Sequence, residues 1–296
     1  MNLEIFFSVV VPSYNRADMV KETICSLLEQ IYFHFELIIV DDGSTDNTYE
    51  VVQPYLKDER IKYFKIENSE RGAARNFGTS KSRGDYVTFL DSDDVLLPWH
   101  LASALEKIKL MKSPPAFHLG YEILHLDGHV DRIPLLPSPL NDKMPEGNFM
   151  SCMGVFLRRD VALRNSFDED RQLSGSEDYE LWMRLAARVE IFSFPEVTSR
   201  LIEHDNRSVV NTDYQRLIAR IFLLIKKVES DAKFIEKFGS RAGMFTSYSL
   251  LYLALHLAMS GERLLTFKFL VAAAVKYPRI IIKYRFLVVC KKMFLM

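Results

Sequence analysis

Cysteine is scarce in this chain: Cys25, Cys152 and Cys290 are the only three in 296 residues, and their scatter gives no metal-ligand spacing. Isolated thiols of this kind read as reduced and cytosolic, and no disulfide framework is expected. The start, MNLEIFFSVVVP, enters an apolar run without a basic region or a cleavage site, so it is not read as a signal peptide. Repeats and low-complexity segments are absent. VVVPSYNRAD, near the N-terminus, has no glycine-rich, basic phosphate loop, which argues against a nucleotidyltransferase. One uncharged stretch, AGMFTSYSLLYLALHLAMSG at 242–261, is long enough to span a bilayer. Thr246, Ser247, Ser249, His256 and Ser260 lie within it, and Leu250, Leu253, Ala254, Leu257 and Ala258 recur at helical spacing. It reads as an amphipathic helix of a soluble protein rather than a membrane span.

A near-absence of net charge hides a strong asymmetry. The whole chain carries −1, but residues 1–214 hold 23 basic against 35 acidic side chains, and residues 215–296 hold 15 against 4. The acidic part suits metal or cationic partners, and the basic tail suits phosphates or an anionic membrane. With 48% hydrophobic residues the chain can bury a substantial core.

Strand and helix signals alternate over the first hundred residues. FFSVVVP (6–12), FELIIVDDGS (35–44), IKYFKI (61–66) and DYVTFLD (85–91) read as strands. ADMVKETICSLLEQI (17–31), the segment from Ser44 to a stop near Pro54, and RGAARNFGTSKS (71–82) read as helices. Near-continuous apolar strands in a β-α-β-α order predict a mostly parallel sheet with helices on both faces. The carboxyl ends of such strands share one edge, where open α/β sheets bind ligands. Further on, the sequence predicts a helix at 99–112, a hairpin turning at Asp127-Gly128, a strand running into a helix start at 149–161, and a helix at 176–188. Beyond 215 nearly all of it reads as helix.

Chemistry concentrates at that expected edge. Pro12, Ser13, Tyr14 and Asn15 follow the first strand, Asp41 and Asp42 the second, and FLDSDD puts Asp91, Asp93 and Asp94 after the fourth. Carboxylates crowded at the end of a buried strand repel one another unless water or a cation offsets the charge. A divalent cation carrying a diphosphate is the arrangement that uses all of them. A solvated turn capping the next helix is the plainer reading of any single cluster; two clusters on one sheet edge favour the cation.

VVVPSYNR, DDGSTDNT, RGAARNFG, GDYVTFLDSDD and SEDYELWMRLA, in this order, resemble the motif set of family 2 glycosyltransferases with the GT-A fold, over about residues 5–210. The resemblance implies a Rossmann-like α/β catalytic domain at 1–214, with a nucleotide-binding half to about 95 and an acceptor half from about 96, and a helical region at 215–296. It also implies an inverting transfer from a nucleotide sugar, UDP being the expected nucleotide, to a glycan or lipid-linked acceptor in surface polysaccharide synthesis. Pro12, Ser13, Tyr14 and Asn15 would line the base. Asp42 would accept a hydrogen bond from it, and Asp41 would support the loop. Arg71, Gly72 and Arg75 would lie near base and ribose, with Asn76 close by. Asp91 would approach the ribose, and Asp93, joined by His204, would hold Mn²⁺ or Mg²⁺. Asp94 would order the loop or reach the sugar.

Transfer also needs a base for the acceptor hydroxyl. The resemblance assigns it to Asp178, with Glu177 at the acceptor. Acidic residues in a first helical turn are equally what the helix dipole favours. Trp182, one turn on, is either a sugar platform or a core anchor. Arg207 and Ser208 are further candidates for phosphate.

The tail carries a different signal. LYLALHLAMSGERLLTFKFLVAAAVKYPRI resembles a helix-turn-helix appendage, and KYPRIIIKYRFLVVCKKMF interleaves basic and apolar residues like a helix lying in a membrane interface. Packing on the catalytic domain with its lysines in water is the alternative. No nucleic-acid-binding motif accompanies the charge. The enzyme reading places the protein in the cytoplasm, at the inner face of a membrane if the tail docks there. A catalytically silent sugar-nucleotide or partner-binding module is the rival from another class.

Overall fold

The apolar run FSVVVPS forms β1 (Phe7–Ser13) and FELIIVD forms β2 (Phe35–Asp41), with every residue of both buried. Strands covered on both faces need apolar side chains at consecutive positions, which is why neither alternates. β1 pairs in parallel with β2 and with β4 (Tyr86–Phe89), and β2 pairs in parallel with β3 (Ile61–Lys65). The intervening helices are α1 (Val20–Leu28), the short α2 (Thr48–Val52) and α3 (Glu70–Lys81). In this computed structural model the described residues are 4–133, 136–204 and 213–295.

Beyond β4 the sheet becomes mixed. β8 (Val155–Arg158) lies antiparallel to both β4 and β6 (Ala116–Leu124). β9 (Ile191–Ile202) runs parallel to β6, and the short β5 (Val95–Leu96) and β7 (Val130–Arg132) pair antiparallel with β9 and β6. The order is β3-β2-β1-β4-β8-β6-β9-β5, with β7 on β6. The β6–β7 hairpin turns through Asp127-Gly128 as expected; Gly128 has φ +83°, a conformation that glycine adopts without strain. α4 (His100–Leu110) and α5 (Arg159–Arg164) complete this part.

Gly84, at the entry to β4, sits against the β1 backbone. A Cβ there would lie 2.6 Å from the Ser8 nitrogen and 2.7 Å from the Phe6 oxygen, both main-chain atoms. The Gly84 N–H instead donates to Ser8 Oγ at 2.8 Å. Backbone cannot yield as a side chain tip does, so Gly84→Ala is expected to cost about 2–3 kcal/mol, read as a lowered urea midpoint. An unchanged midpoint would mean that the two strands separate freely here.

Two compact units emerge. The whole sheet with α1–α5 falls in Met1–Leu140, Met150–Arg171 and Val189–Arg207. The second unit comprises Asn141–Phe149, Gln172–Arg188 and Ser208–Met296. A division drawn along the chain at 214 leaves α6 (Glu177–Arg188) with the sheet. By compactness α6 belongs with the C-terminal helices, since it packs on α7 (Tyr214–Ser230) and α8 (Ala232–Phe238).

At the centre of the second unit lies α9 (Ala242–Met259), packed against α7, α10 (Arg263–Lys276) and α11 (Tyr284–Leu295). The amphipathic expectation for this helix fails. Thr246, Ser247 and Ser249 are buried along with Leu250, Leu253, Ala254, Leu257 and Ala258. Two of the three hydroxyls find partners inside: Ser247 Oγ donates to the Ala273 carbonyl at 2.8 Å, and Thr246 Oγ1 donates to the Glu229 carboxylate, while Ser249 Oγ is buried without a partner among the described residues. Among the described residues the helical run Ala232–Met259 is long and apolar enough to cross a membrane, and 61% of its apolar window is buried within the protein. That burial accounts for the absence of charge.

Candidate active site

The parallel pairing of β4 with β1 ends at Leu90, whose N–H donates to the Val10 carbonyl at 3.0 Å. The chain then turns, with the Asp94 N–H donating to the Asp91 carbonyl at 3.1 Å. This turn gathers Asp91, Asp93 and Asp94 so that one carboxylate oxygen of each lies within 4.8 Å of the others. Asp94 is buried and ties the turn to β9: its Oδ1 accepts the Ile202 N–H at 3.0 Å, and its carbonyl accepts the Thr23 hydroxyl at 2.8 Å. Of its two expected roles, loop-ordering is the one these bonds serve. The same tie fixes the end of β9, two residues before His204. His204 Nε2 lies 3.1 Å from Asp93 Oδ2.

Arg16 also reaches Asp93 Oδ2, at 3.4 Å. The three clustered carboxylates are oxygen donors, with the His204 imidazole against one of them, and hard oxygen ligands suit Mg²⁺ or Mn²⁺ rather than a soft thiolate-seeking metal.

The loops after β1 and β2 are clamped together. Asn15, at φ +50°, donates its N–H to Ser44 Oγ at 2.9 Å, and its Oδ1 accepts the Thr45 N–H at 2.8 Å. Ser13 gives its carbonyl to the Asp42 N–H at 2.8 Å. Asp41, fully buried, accepts the Ser44 N–H at 2.7 Å and the Tyr63 hydroxyl. Asp42 accepts the Ser69 N–H at 2.7 Å, and burial raises its carboxyl above the ordinary range, partly opposed by the backbone donors of Ser69 and Glu70. Pro12 and Ser13 are buried at the strand end, whereas Tyr14 is 46% exposed, leaving its ring available to a ligand.

Arg71, Gly72 and Arg75 lie in the first turns of α3, and Gly72 is buried. Arg75 is buried with its guanidinium 5.2 Å from the Phe167 ring centroid and donates to Asp91 Oδ1 at 2.6 Å. Asn76 is occupied structurally, donating to the Phe167 carbonyl and accepting the Phe167 N–H at 2.8 Å. These bonds hold Phe167 under Arg75.

In the second unit, Glu177 and Asp178 begin α6. Glu177 is buried and accepts the Gly175 N–H at 2.6 Å, where Gly175 has φ +89°. Asp178 accepts the Tyr179 N–H at 2.7 Å and the Asn148 amide at 2.9 Å. The Tyr179 hydroxyl donates to the Met144 carbonyl at 2.8 Å, anchoring the same 141–149 loop. Trp182 is 0% exposed. A sugar platform needs an open ring face, so of the two roles weighed for Trp182 burial favours the core anchor.

Sequence reasoning passed over Arg16, Phe167 and Asn148. Arg16 stood next to Tyr14-Asn15 and could have been found by its charge at the strand edge. Nothing in the sequence around Phe167 or Asn148 marked either one. Arg207 and Ser208 lie outside the described residues.

The model of the family described as glycosyl transferase family 2 matches residues 8–113. The glucosyltransferase WfgD of Escherichia coli is 33% identical over 183 residues, covering 60% of this chain and 68% of WfgD. The chain belongs to glycosyltransferase family 2. TuaG of Bacillus subtilis (strain 168) is 39% identical over 158 residues, 52% of this chain, and the chain spans only 62% of TuaG's length. Two solved structures share the GT-A fold with it. The mannosyltransferase PcManGT from Pyrobaculum calidifontis, in complex with GDP-Man and Mn²⁺, superposes with a TM-score of 0.66 at 16% identity, over 99% of this chain and 85% of PcManGT. TarS 1-349 of S. aureus, in complex with UDP-GlcNAc, gives 0.63 at 18% identity, over 92% and 89%. This family 2 chain therefore has the expected α/β architecture with helices at its C-terminal end.

Proposed function

We propose that the protein is an inverting, cation-dependent glycosyltransferase that moves a sugar from a nucleoside-diphosphate donor, in the first instance a UDP-sugar, to a glycan or lipid-linked acceptor in surface polysaccharide synthesis. The observation that carries this reading is the cluster of Asp91, Asp93 and Asp94, with His204 on Asp93, at the carboxyl edge of a parallel sheet. Asp93 and His204 would hold the cation, which when bound neutralises charge on the departing diphosphate. Arg75 donates to Asp91 Oδ1 at 2.6 Å and fixes that carboxylate in place, ready to accept from a ribose hydroxyl. The exposed ring of Tyr14 offers the base a stacking face, and Asp42 an acceptor.

Asp178 takes the role of base. Its carboxylate accepts the Tyr179 N–H and the Asn148 amide, and can take the proton of an acceptor hydroxyl as that oxygen attacks the anomeric carbon. Attack from the face opposite the leaving diphosphate inverts the anomeric centre. WfgD supports a lipid-linked acceptor: its name gives UDP-Glc as donor and a diphosphoundecaprenol-linked GlcNAc as acceptor. PcManGT, solved with GDP-Man and Mn²⁺, supports the cation. The setting proposed is cytoplasmic.

The test is nucleoside diphosphate release from UDP-, GDP- and dTDP-sugars with Mn²⁺ or Mg²⁺, with anomeric configuration followed by proton NMR. Turnover of one donor class with inversion is expected. Binding of a nucleotide sugar without any turnover, with a matched acceptor supplied, would instead establish a silent binding module.

A further inference from the structure

We propose that α10 and the turn that follows it form a docking face for an anionic lipid bilayer. The sequence pattern places an interfacial helix in the last twenty residues; among the described residues a continuous exposed apolar stripe also lies one helix earlier. α10 buries Thr266, Phe269, Leu270 and Ala273 and exposes Leu264, Phe267, Val271 and Val275, at 89%, 59%, 47% and 74%. At about 100° per residue these four fall within an arc of about 80°, one continuous stripe along the helix. Scattered exposed apolar residues are ordinary; four large ones in register on one face are not. The stripe does not end with the helix. Pro278 turns the chain, and Ile281, Ile282, Tyr284 and Leu287 are again exposed.

Charge decides the occupant. Residues 263–296 contain eight basic side chains and no acidic one. Arg263 flanks the stripe on one side of α10, Lys268 and Lys276 on the other, and all three are exposed. Arg279, Lys283 and Arg285 continue the pattern through the turn, also exposed. A second copy of this chain, docking face to face, would bring like charges together around the apolar contact. A bilayer with anionic headgroups offers both complements at once: acyl chains for the stripe, and phosphates for the lysines and arginines, whose long stems let the charges reach the headgroup layer. This inference does not depend on the transferase reading.

The experiment is flotation of the full chain with vesicles of phosphatidylcholine alone or mixed with phosphatidylglycerol. The wild type is expected to float with the mixed vesicles and not with pure phosphatidylcholine, and raised salt should release it. Phe267→Asp with Val271→Asp is expected to lower partitioning at least about tenfold. Lys268→Gln with Lys276→Gln should lower it about fivefold per charge removed. All four positions are solvent-exposed, so thermal melting should be unchanged, which separates lost docking from lost folding. Equal partitioning of wild type and both variants would overturn the proposal, as would no partitioning at all. A wild-type dimer in light scattering that Phe267→Asp dissolves would overturn it too, reassigning the face to self-association.

Discussion

Asp178→Asn is expected to lower kcat for sugar transfer by about 10²–10⁴-fold while leaving nucleotide and cation binding intact. The substitution is isosteric. The Asn oxygen can keep the Tyr179 N–H bond seen at 2.7 Å, and the Asn148 amide can rotate to present its oxygen to the new amide nitrogen. What is lost is the ability to take a proton. The deficit should therefore fall on kcat, with KM for the donor nearly unchanged, and on slow donor hydrolysis as well, where water replaces the acceptor. If kcat were unchanged, Asp178 would be a helix-start residue favoured by the dipole and by its two donors, and the base would have to be another group.

Acid should destabilise the protein steeply, through His100 and His118. Both are fully buried, and burial holds the pKa of each down to about 3; for His100 the neighbouring His118 ring adds a smaller push the same way. His100 Nδ1 lies 2.8 Å from Thr198 Oγ1, and His118 Nε2 accepts the Ser151 N–H at 3.2 Å. The remaining nitrogens, His100 Nε2 and His118 Nδ1, are buried without a hydrogen-bond partner among the described residues, so a charged ring would have nothing to offset it.

The sign follows from proton counting. Above the unfolded pKa of about 6.5 both states hold neutral rings and the pair contributes nothing pH-dependent. As pH falls below that value the unfolded chain takes up two protons that the folded chain refuses until about pH 3. Stability is thus lost at up to about 1.4 kcal/mol per pH unit for each ring, or about 2–3 kcal/mol between pH 6 and pH 5 for both. Urea unfolding at the two pH values should show that loss. His118→Gln, whose amide oxygen can still accept the Ser151 N–H, should halve the slope. An undiminished slope in that variant would place the acid sensitivity elsewhere.

How far the sequence carried these conclusions varied by element. β1 and β2 were legible because strands buried on both faces are near-continuously apolar, as VVVP and LIIV are. The β6–β7 hairpin was legible because Asp127-Gly128 supplies a residue suited to positive φ. α1 runs only from Val20 to Leu28, shorter than the pattern at 17–31, because Asp46 accepts the Ala17 N–H at 3.1 Å and Thr48 accepts the Arg16 N–H at 3.0 Å, holding the preceding loop to its neighbour. No local pattern encodes a partner thirty residues away.

The reading of α9 failed for a related reason. Hydroxyl side chains in a helix need not face water: Ser247 and Thr246 spend theirs on α10 and on Glu229. The carboxylates of the candidate site were legible by type and position. Their supporting cast was less so. Arg16 on Asp93, Phe167 under Arg75 and Asn148 on Asp178 each come from a different segment, and only folding brings them together.

Everything proposed for the donor rests on the aspartates at the sheet edge forming a cation–diphosphate site. Calorimetric titration of the purified chain with UDP, GDP and dTDP, with and without Mn²⁺, repeated on Asp93→Ala, tests it most directly. One nucleotide is expected to bind tightly and only with Mn²⁺, and Asp93→Ala is expected to abolish the Mn²⁺-dependent part while the protein stays folded. Binding that is indifferent to both Mn²⁺ and Asp93, or no binding of any nucleotide by folded protein, would contradict it and leave the three carboxylates as a solvated turn.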